Sequence, residues 1–288
     1  MTLKAKWVFD DSFYEAKENA DVRAEGTIAR VMSFNVLTQW YNSAAKTDEF
    51  RLSSAFNTIK RYAPDVIGVQ EFDHRWYNYV ANLDGYAAVN ASDYTVDGQN
   101  TYTTLLYNTN TVKVVEFEQV RLPTEDNWNC RNVVTAVFEF ISGDNIGKQF
   151  IATSTHWNLN EPDRVKQASE MSVILDAWEA KYPDLPVIST GDFNASDGGD
   201  AISKYIEETG YSDAKNANEV GLLCNTYHGY GEHGYNQYSF GPSQINTTES
   251  IDHIFISSNV TSLYYSVIAD IDALNGSDHC PIYADINW

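Results

Sequence analysis

The 288-residue chain is poor in basic side chains and has no long hydrophobic run. It carries 19 Lys and Arg against 40 Asp and Glu, which gives a formal net charge of −21. No apolar run approaches the roughly 18 to 20 residues that a transmembrane helix needs. Residues 216–288 contain no Lys or Arg. Because proteins that hold long nucleic acids neutralise phosphates with basic side chains, this shortage disfavours a tight grip on duplex DNA, without excluding local phosphate contacts.

Cysteine is scarce as well. Cys130, Cys224 and Cys280 are an odd number without metal-type spacing, so neither a disulfide framework nor a cysteine zinc site is predicted. The N-terminus has two lysines, Lys4 and Lys6, but lacks the apolar core of a secretory signal. We therefore expect either a cytoplasmic protein or a secreted one from which a signal has been removed.

Alternating and buried apolar runs dominate the rest of the chain. Helical spacing is found over residues 47–61 and again after Asn160, which is suited to cap a helix. Strands are predicted over residues 27–36, 65–70, 102–108, 112–117, 133–141, 149–155, 187–190, 251–257, 264–268 and 281–286. This order predicts an α/β protein of one domain over residues 1–288, with a core at about 29–286. Its two mixed sheets would pack face to face with helices outside.

Six of the strand-like runs end in polar groups suited to bind a metal or a phosphate. The six segments are Ser33-Phe34-Asn35-Val36, Gly68-Val69-Gln70-Glu71, Ser154-Thr155-His156-Trp157-Asn158, Thr190-Gly191-Asp192-Phe193-Asn194, Ile251-Asp252-His253-Ile254 and Ser277-Asp278-His279. One such ending is as often a turn cap as a functional group. Six endings that offer carboxylate, amide and imidazole groups predict one assembled site at the sheet ends.

The acidic and amide groups in these segments are hard oxygen ligands. Glu71, Asp192 and Asp278 offer carboxylates, and Asn35 and Asn194 offer amide oxygens. Such ligands suit Mg²⁺, Mn²⁺ or Ca²⁺ rather than zinc.

The histidines add groups that donate hydrogen bonds or transfer protons. His156 and His279 could each contact a phosphoryl oxygen, and Asp252 is a candidate to orient His279. His228 lies in a long irregular stretch, residues 224–248, and could touch the substrate from there.

Taken in order and spacing, the six segments resemble the endonuclease/exonuclease/phosphatase superfamily, whose members share a deoxyribonuclease I-like fold. The resemblance runs from about residue 29 to 286. It implies a four-layer α/β sandwich and hydrolysis of a phosphoester by in-line attack of water, with Mg²⁺, Mn²⁺ or Ca²⁺ as cofactor. The Thr226-to-Tyr230 stretch is similar to bacterial metal-dependent hydrolases of this superfamily.

The resemblance also implies roles for individual residues. The metal positions are Asn35, Glu71 and Asp278. The positions that act on water and phosphate are His156, Asp192, Asn194, Asp252 and His279. Further positions that resemble family residues around the substrate are Arg131, Asn158 and Tyr107. His253 stands where many relatives have an aromatic residue.

The substrate stays open within this family, which acts on DNA, RNA tails, inositol phosphates, sphingomyelin and sugar phosphates. The shortage of basic residues favours a small phosphomonoester or phosphodiester. The enzyme is expected to be a monomer. A metal-dependent nuclease, endonuclease or 3′–5′ exonuclease, is the alternative. An inactive relative that binds a ligand such as a glycan through Tyr and Trp side chains is a third hypothesis.

Overall fold

The computed structural model describes residues 19–38, 48–90, 93–125, 130–229 and 250–288. The strands are β1 (Ala29–Asn35), β2 (Val66–Gln70), β3 (Tyr86–Ala88), β4 (Thr95–Val96), β5 (Gln99–Asn100), β6 (Thr103–Asn108), β7 (Val112–Arg121), β8 (Asn132–Phe140), β9 (Gln149–His156), β10 (Val187–Asp192), β11 (Ser212–Asp213), β12 (Glu219–Val220), β13 (Asp252–Ile256), β14 (Thr261–Val267) and β15 (Ile282–Asn287). The helices are α1 (Asp48–Tyr62), α2 (His74–Val80), α3 (Glu161–Lys181), α4 (Asp200–Thr209) and α5 (Ile271–Gly276), with a 3₁₀ turn at Gly143–Asn145. Among the described helices, none is both long enough and apolar enough to cross a membrane.

The strands form two large mixed sheets and one small hairpin. The first sheet has the order β12-β14-β15-β1-β2-β6-β3, the second has the order β11-β13-β10-β9-β8-β7, and β4 pairs with β5. In the first sheet β1 runs parallel to β2 and antiparallel to β15. In the second sheet β10 runs parallel to β9 and antiparallel to β13. The prediction of two mixed sheets is confirmed.

The sheets pack face to face, and helices cover their outer faces. Alternate residues of β1 show the layering: Val31 belongs to the apolar cluster between the sheets, whereas Met32 joins the cluster beneath α1 and α2. A third cluster places Ile151 of β9 against α3 and α4. Successive side chains of a strand point to opposite faces, so a strand buried on both sides has almost no polar alternation. The result is the four-layer α/β sandwich of the deoxyribonuclease I-like fold.

The two sheets come closest near the strand ends that carry the polar segments. A Cβ at Gly68 of β2 would overlap Thr190 Oγ1 of β10, so only glycine fits there. Ser154 of β9 donates to Val69 O at 3.3 Å and accepts from Gln70 Nε2 at 3.1 Å. These contacts tie β2 to the opposite sheet one or two residues before Glu71.

The helices have side-chain caps where the sequence supplies them. Asn160 accepts a hydrogen bond from Asp163 N at 2.9 Å and begins α3 as predicted. Asp73 caps α2, and Asp270 caps α5 by accepting from Ala273 N at 3.0 Å. The short helices α2 and α5, and the ten-residue α4, were not predicted.

Candidate active site

The polar segments lie together at one edge of the sandwich, but two of them do not end strands as predicted. Asp252 begins β13, and the segment Ser277 to His279 lies between α5 and β15. In the second sheet Asp192 is paired with His156 on one side and with Asp252 on the other. In the first sheet Asn35 is paired with Gln70, directly before Glu71. Asn35 Nδ2 donates to Asp192 Oδ2 at 2.9 Å, so one hydrogen bond joins the two groups of side chains across the sandwich.

His279 lies between two carboxylates. Its Nδ1 is 2.9 Å from Asp252 Oδ2, the pair expected from the sequence, and its Nε2 is 3.8 Å from Asp192 Oδ2. Burial by itself would lower the pKa of His279, but the charges of Asp252 and Asp192 raise it well above its ordinary value. The two flanking carboxylates therefore favour the protonated form of His279. Asp192, Asp252 and His279 thus form a buried, charge-paired group, and protonation of the imidazole would leave it no lone pair for a metal.

His156 has the opposite charge state on the same carboxylate. Its Nε2 lies 3.4 Å from Asp192 Oδ2, the oxygen that also faces His279. Burial lowers the pKa of His156 well below its ordinary value, and the positive charges of Arg131 and His279 lower it further. A neutral and a charged histidine thus flank one aspartate, which allows them different roles in proton transfer.

Asp192 is buried at the centre of the site. Burial and the charge of Asp252 raise the pKa of Asp192 to about 7, against the opposing effect of His279. Asn194 N donates to the second carboxylate oxygen, Oδ1, at 2.9 Å. A carboxylate with a pKa near neutrality is suited to act as a general base at physiological pH.

Asn194 itself follows Asp192 in a tight turn. Its φ of 48° lies in the left-handed region, which Asn tolerates better than most residues. Its side-chain Nδ2 donates to Trp157 O at 2.9 Å, and the side chain remains partly exposed. The turn therefore orders the edge of the site between β9 and β10.

Glu71 and Asp278 are the two carboxylates available to a metal. Glu71 accepts from Thr38 N at 3.0 Å and from Asn35 Nδ2 at 3.3 Å. Burial raises the pKa of Asp278, and the charge of Glu71 raises it further, against the opposing effect of His279. The two carboxylates therefore repel each other electrostatically. A divalent cation between them would relieve this repulsion, and hard carboxylate oxygens are its preferred ligands. The donor set fits Mg²⁺ or Mn²⁺.

Asn35 orients these acids rather than offering its oxygen. The Oδ1 atom accepts from Leu37 N at 3.0 Å, which directs the amide nitrogen toward Glu71 and Asp192. In this orientation the Asn35 amide holds the Glu71 carboxylate and Asp192, and of the three predicted metal positions Glu71 and Asp278 are the two that present carboxylate oxygens.

Two of the expected substrate contacts lie near the site. Arg131 is buried just before β8, and its charge acts on the pKa of His156. His228 is buried as well, and its backbone N donates to Asp278 O at 2.9 Å. The rest of the irregular stretch that carries His228, residues 230–249, lies outside the described residues.

The structure does not bring Tyr107 and Asn158 into the same cavity as substrate groups. Tyr107 is paired with Val66 at the start of β2, whereas Glu71 follows the end of that strand. The Asn158 amide donates to Thr124 Oγ1 at 2.8 Å and to Asp163 Oδ2 at 2.7 Å, so it orders the entry to α3.

Three supporting residues were not identified from the sequence. Arg51 of α1 is buried and donates to the carbonyls of Val36 and Leu37 at 2.7 and 2.6 Å. Ser277 Oγ donates to Asn35 O at 2.5 Å. Thr226 Oγ1 accepts from Asp252 N at 3.2 Å. Ser277 and Thr226 lie within the quoted segments and could have been singled out, but Arg51 has no signal beyond its place in an amphipathic helix.

The sequence of this chain matches a known protein family. The sequence profile described as the Endonuclease/Exonuclease/phosphatase family matches residues 32–279. The chain belongs to this family. The match spans all six polar segments, from Met32 just before Asn35 to His279. A search of curated proteins found no match.

Solved structures of similar fold include a phosphatase and a protein bound to a DNA product. A mannosyl-6-phosphatase of Bacteroides thetaiotaomicron is 20% identical with a TM-score of 0.74, covering 90% of this chain and 100% of that chain. TDP2 of D. rerio, complexed with a single-strand DNA product, is 18% identical with a TM-score of 0.64, covering 90% and 99%. The human Nocturnin catalytic domain, with a bound sulfate anion, is 19% identical with a TM-score of 0.63, covering 92% and 96%. At these identities the likeness shows the shared fold of the family.

Proposed function

We propose that the protein is a divalent-metal-dependent phosphoester hydrolase that acts on a small phosphomonoester or phosphodiester through in-line attack of water. The observation that carries this proposal is the arrangement around Asp192, whose Oδ2 lies 3.4 Å from His156 Nε2 and 3.8 Å from His279 Nε2. The proposed base, Asp192, therefore has two histidine side chains close to the same carboxylate oxygen.

The side chains can divide the reaction among them. Ionised Asp192 accepts a proton from the attacking water, because its raised pKa brings its basicity close to that needed at neutral pH. The His279 imidazolium, oriented by Asp252, donates to a phosphoryl oxygen on which charge develops. Neutral His156 donates one further hydrogen bond, and Asn194 is anchored beside it through Trp157 O.

Glu71 and Asp278 would hold the cation, with Asn35 keeping the Glu71 carboxylate in place. A bound Mg²⁺ or Mn²⁺ would withdraw negative charge from the phosphoryl oxygens. The raised pKa of Asp278 supports this assignment, because two adjacent carboxylates without a cation repel each other.

Charge favours a small substrate over a polymer. Residues 216–288 contribute eight acidic and no basic residues, and Tyr227 to Gly229 from this region line up against Asp278 and His279. Of the described acids in this range Asp252 and Asp278 lie at the site, whereas Asp270, Asp272 and Asp285 are paired with arginines. Carboxylates at the site without a nearby lysine or arginine from this range would repel the flanking phosphates of a nucleic acid, while a single phosphoryl group can still be neutralised by a cation and the histidines. The mannosyl-6-phosphatase among the similar structures fits a small substrate, whereas TDP2 with its DNA product keeps a nuclease as the alternative.

The test is a substrate panel with Mg²⁺ or Mn²⁺, with and without chelator. The panel comprises 4-nitrophenyl phosphate, bis(4-nitrophenyl) phosphate, a hexose phosphate, short oligonucleotides and duplex DNA, each at two salt concentrations. We expect metal-dependent kcat/KM to be higher for the small esters than for DNA. Preference for duplex DNA with a steep loss as salt rises would establish the nuclease alternative instead.

A site variant and a surface variant, purified in the same way, show whether the measured activity belongs to this protein or to a contaminating enzyme. Asp192→Asn should lower kcat on the order of 10³-fold, whereas Asp144→Asn in the exposed 3₁₀ turn should leave it unchanged. If the purified wild-type protein cleaved none of these esters with either metal, the hydrolase proposal would fail and the ligand-binding hypothesis would stand.

A further inference from the structure

Tyr227 is an exposed aromatic residue in an otherwise buried segment of the active-site edge. Its relative exposure is 51%, while Thr226 is at 0% and His228 at 7%. An aromatic side chain between two buried neighbours is held at the surface by its backbone. None of the roles proposed above uses it.

The backbone around Tyr227 is tied directly to the catalytic segment. Cys280 N donates to Thr226 O at 2.6 Å, and His228 N donates to Asp278 O at 2.9 Å. These bonds place Tyr227 opposite His279 in an isolated antiparallel bridge. The position of the ring is thus set by the residues that form the metal and phosphate site.

The ring lies against the catalytic imidazole. The centroids of the Tyr227 and His279 rings are 5.0 Å apart at an interplanar angle of 57°. Gly229 completes the turn with a φ of +60°, and a Cβ there would lie 3.1 Å from Tyr227 Oη. Glycine at this position therefore leaves the phenol room to stay beside His279.

We propose that the Tyr227 ring is a specificity-determining contact for the organic group of the substrate, and that this group is a sugar ring. The inference rests on the proposed phosphoester hydrolysis. A phosphoryl group at His279 leaves its ester group within a few ångströms of the Tyr227 ring. An exposed aromatic face binds the C–H face of a sugar through apolar contact without requiring any positive charge. The lack of Lys and Arg over residues 216–288 agrees with a neutral organic group.

The proposal is tested by the ratio of two specificity constants. We compare kcat/KM for glucose 6-phosphate, which has a ring, with kcat/KM for glycerol 3-phosphate, which has none. In Tyr227→Ala this ratio should fall about tenfold through a rise in KM for the hexose ester, as expected for the loss of one apolar contact. Tyr227→Phe should restore the ratio because it keeps the ring. Ile146→Ala, at an exposed apolar residue beside the 3₁₀ turn, should leave the ratio at the wild-type value.

Other outcomes would overturn the proposal. An equal fall of kcat for both esters would mean that Tyr227 only positions His279. A fall confined to adenosine 5′-monophosphate, measured in parallel, would assign the ring to a base rather than to a sugar.

A binding measurement keeps this test separate from the hydrolase proposal. We titrate glucose 6-phosphate into Asp192→Asn and into Asp192→Asn/Tyr227→Ala in the presence of Mg²⁺. Binding weakened about tenfold by the second substitution would support the Tyr227 contact even if the wild-type protein showed no turnover. Equal affinities would refute the contact whether or not the enzyme is active.

Discussion

Two clusters in this protein contain two aspartates and one histidine each, yet they differ in what they can do. The first consists of Asp192, Asp252 and His279, and the second of Asp197, Asp213 and His253. The two clusters meet on β13, where Asp252 and His253 are neighbours in sequence. Because successive side chains of a strand point to opposite faces, Asp252 and His253 face opposite sides of the sheet, and each belongs to a different cluster.

In the second cluster both ring nitrogens of His253 lie within hydrogen-bond distance of protein oxygen atoms. His253 Nδ1 lies 2.9 Å from Asp213 Oδ2, and Nε2 lies 2.9 Å from Ala195 O. Both neighbours are oxygen acceptors, so the geometry favours a protonated ring that donates from both nitrogens. Burial alone would lower the pKa of His253, but Asp213 raises it. Lys215 pairs with Asp197 and lies 3.6 Å from Asp213.

The neighbouring groups of each cluster, rather than its residue types, decide what the cluster can do chemically. The second cluster has its charges balanced by Lys215 and the imidazolium, so it offers neither a base nor a metal site. Its structural role is to hold Ala195, next to Asn194, against β13. In the first cluster the Nε2 atom of His279 faces Asp192 and the site, so its proton remains available to a substrate.

The largest expected difference is between Asp192 of the first cluster and Asp197, the exposed aspartate of the second. Asp192→Asn removes the proposed base and should lower kcat on the order of 10³-fold. Asp197→Asn, the equivalent change in the second cluster, removes a partly exposed carboxylate and should alter kcat by less than about twofold. Steady-state kinetics of both variants on one small ester would measure the difference. Similar losses in the two variants would contradict the separation of roles.

Acid should act on the first cluster before it acts on the second. Asp192 must be ionised to accept a proton, and its pKa is raised to about 7, so activity should fall as pH is lowered from 7 to 5. Asp213 has a lowered pKa, despite its burial, because of His253, so that pair stays intact over this range. A pH–rate profile checks this, with circular dichroism to show that the fold persists. Rates that rise toward pH 5 would argue against Asp192 as the base.

The two aspartate–histidine pairs offer a sharper contrast. Asp252→Asn and Asp213→Asn each break a buried pair, and each should lower Tm by about 6–10 °C. Only Asp252→Asn should also lower kcat, on the order of 10²-fold, because it removes the charge that holds the proton on His279. Thermal melts and kinetics on the same samples distinguish the two effects. A 10²-fold loss in Asp213→Asn would place the second cluster in the catalytic machinery.

The smallest expected effect belongs to Lys215. Lys215→Met removes the ammonium group that pairs with Asp197, a contact at the partly exposed edge of the second cluster. Such pairs contribute about 0–1 kcal/mol, so Tm should fall by no more than about 4 °C and kcat by less than twofold. A larger loss of activity would show that the charges around His253 affect the position of Asn194 at the active site.

Much of the fold followed from local patterns. The strands that carry the first five polar segments, β1, β2, β9, β10 and β13, were predicted within a few residues, because each contains an apolar run bounded by turns. The sixth segment, Ser277 to His279, lies on no strand, because the chain enters it from α5. The cap at Asn160 likewise located α3. The helices α2, α4 and α5 were missed, since they are short and their caps, Asp73, Gly199 and Asp270, resemble ordinary turn residues.

By itself the sequence determined the family, the fold class and the set of polar residues that end the strands, because these depend on residue type and order along the chain. Only the tertiary structure decided which aspartate meets which histidine, since His279 pairs with Asp252 and His253 with Asp213 across long sequence separations. It also decided the directions of the pKa shifts, downward for His156 and upward for His279. The physical reason is that burial and Coulomb interactions depend on distances in space, which residue spacing along a chain does not specify.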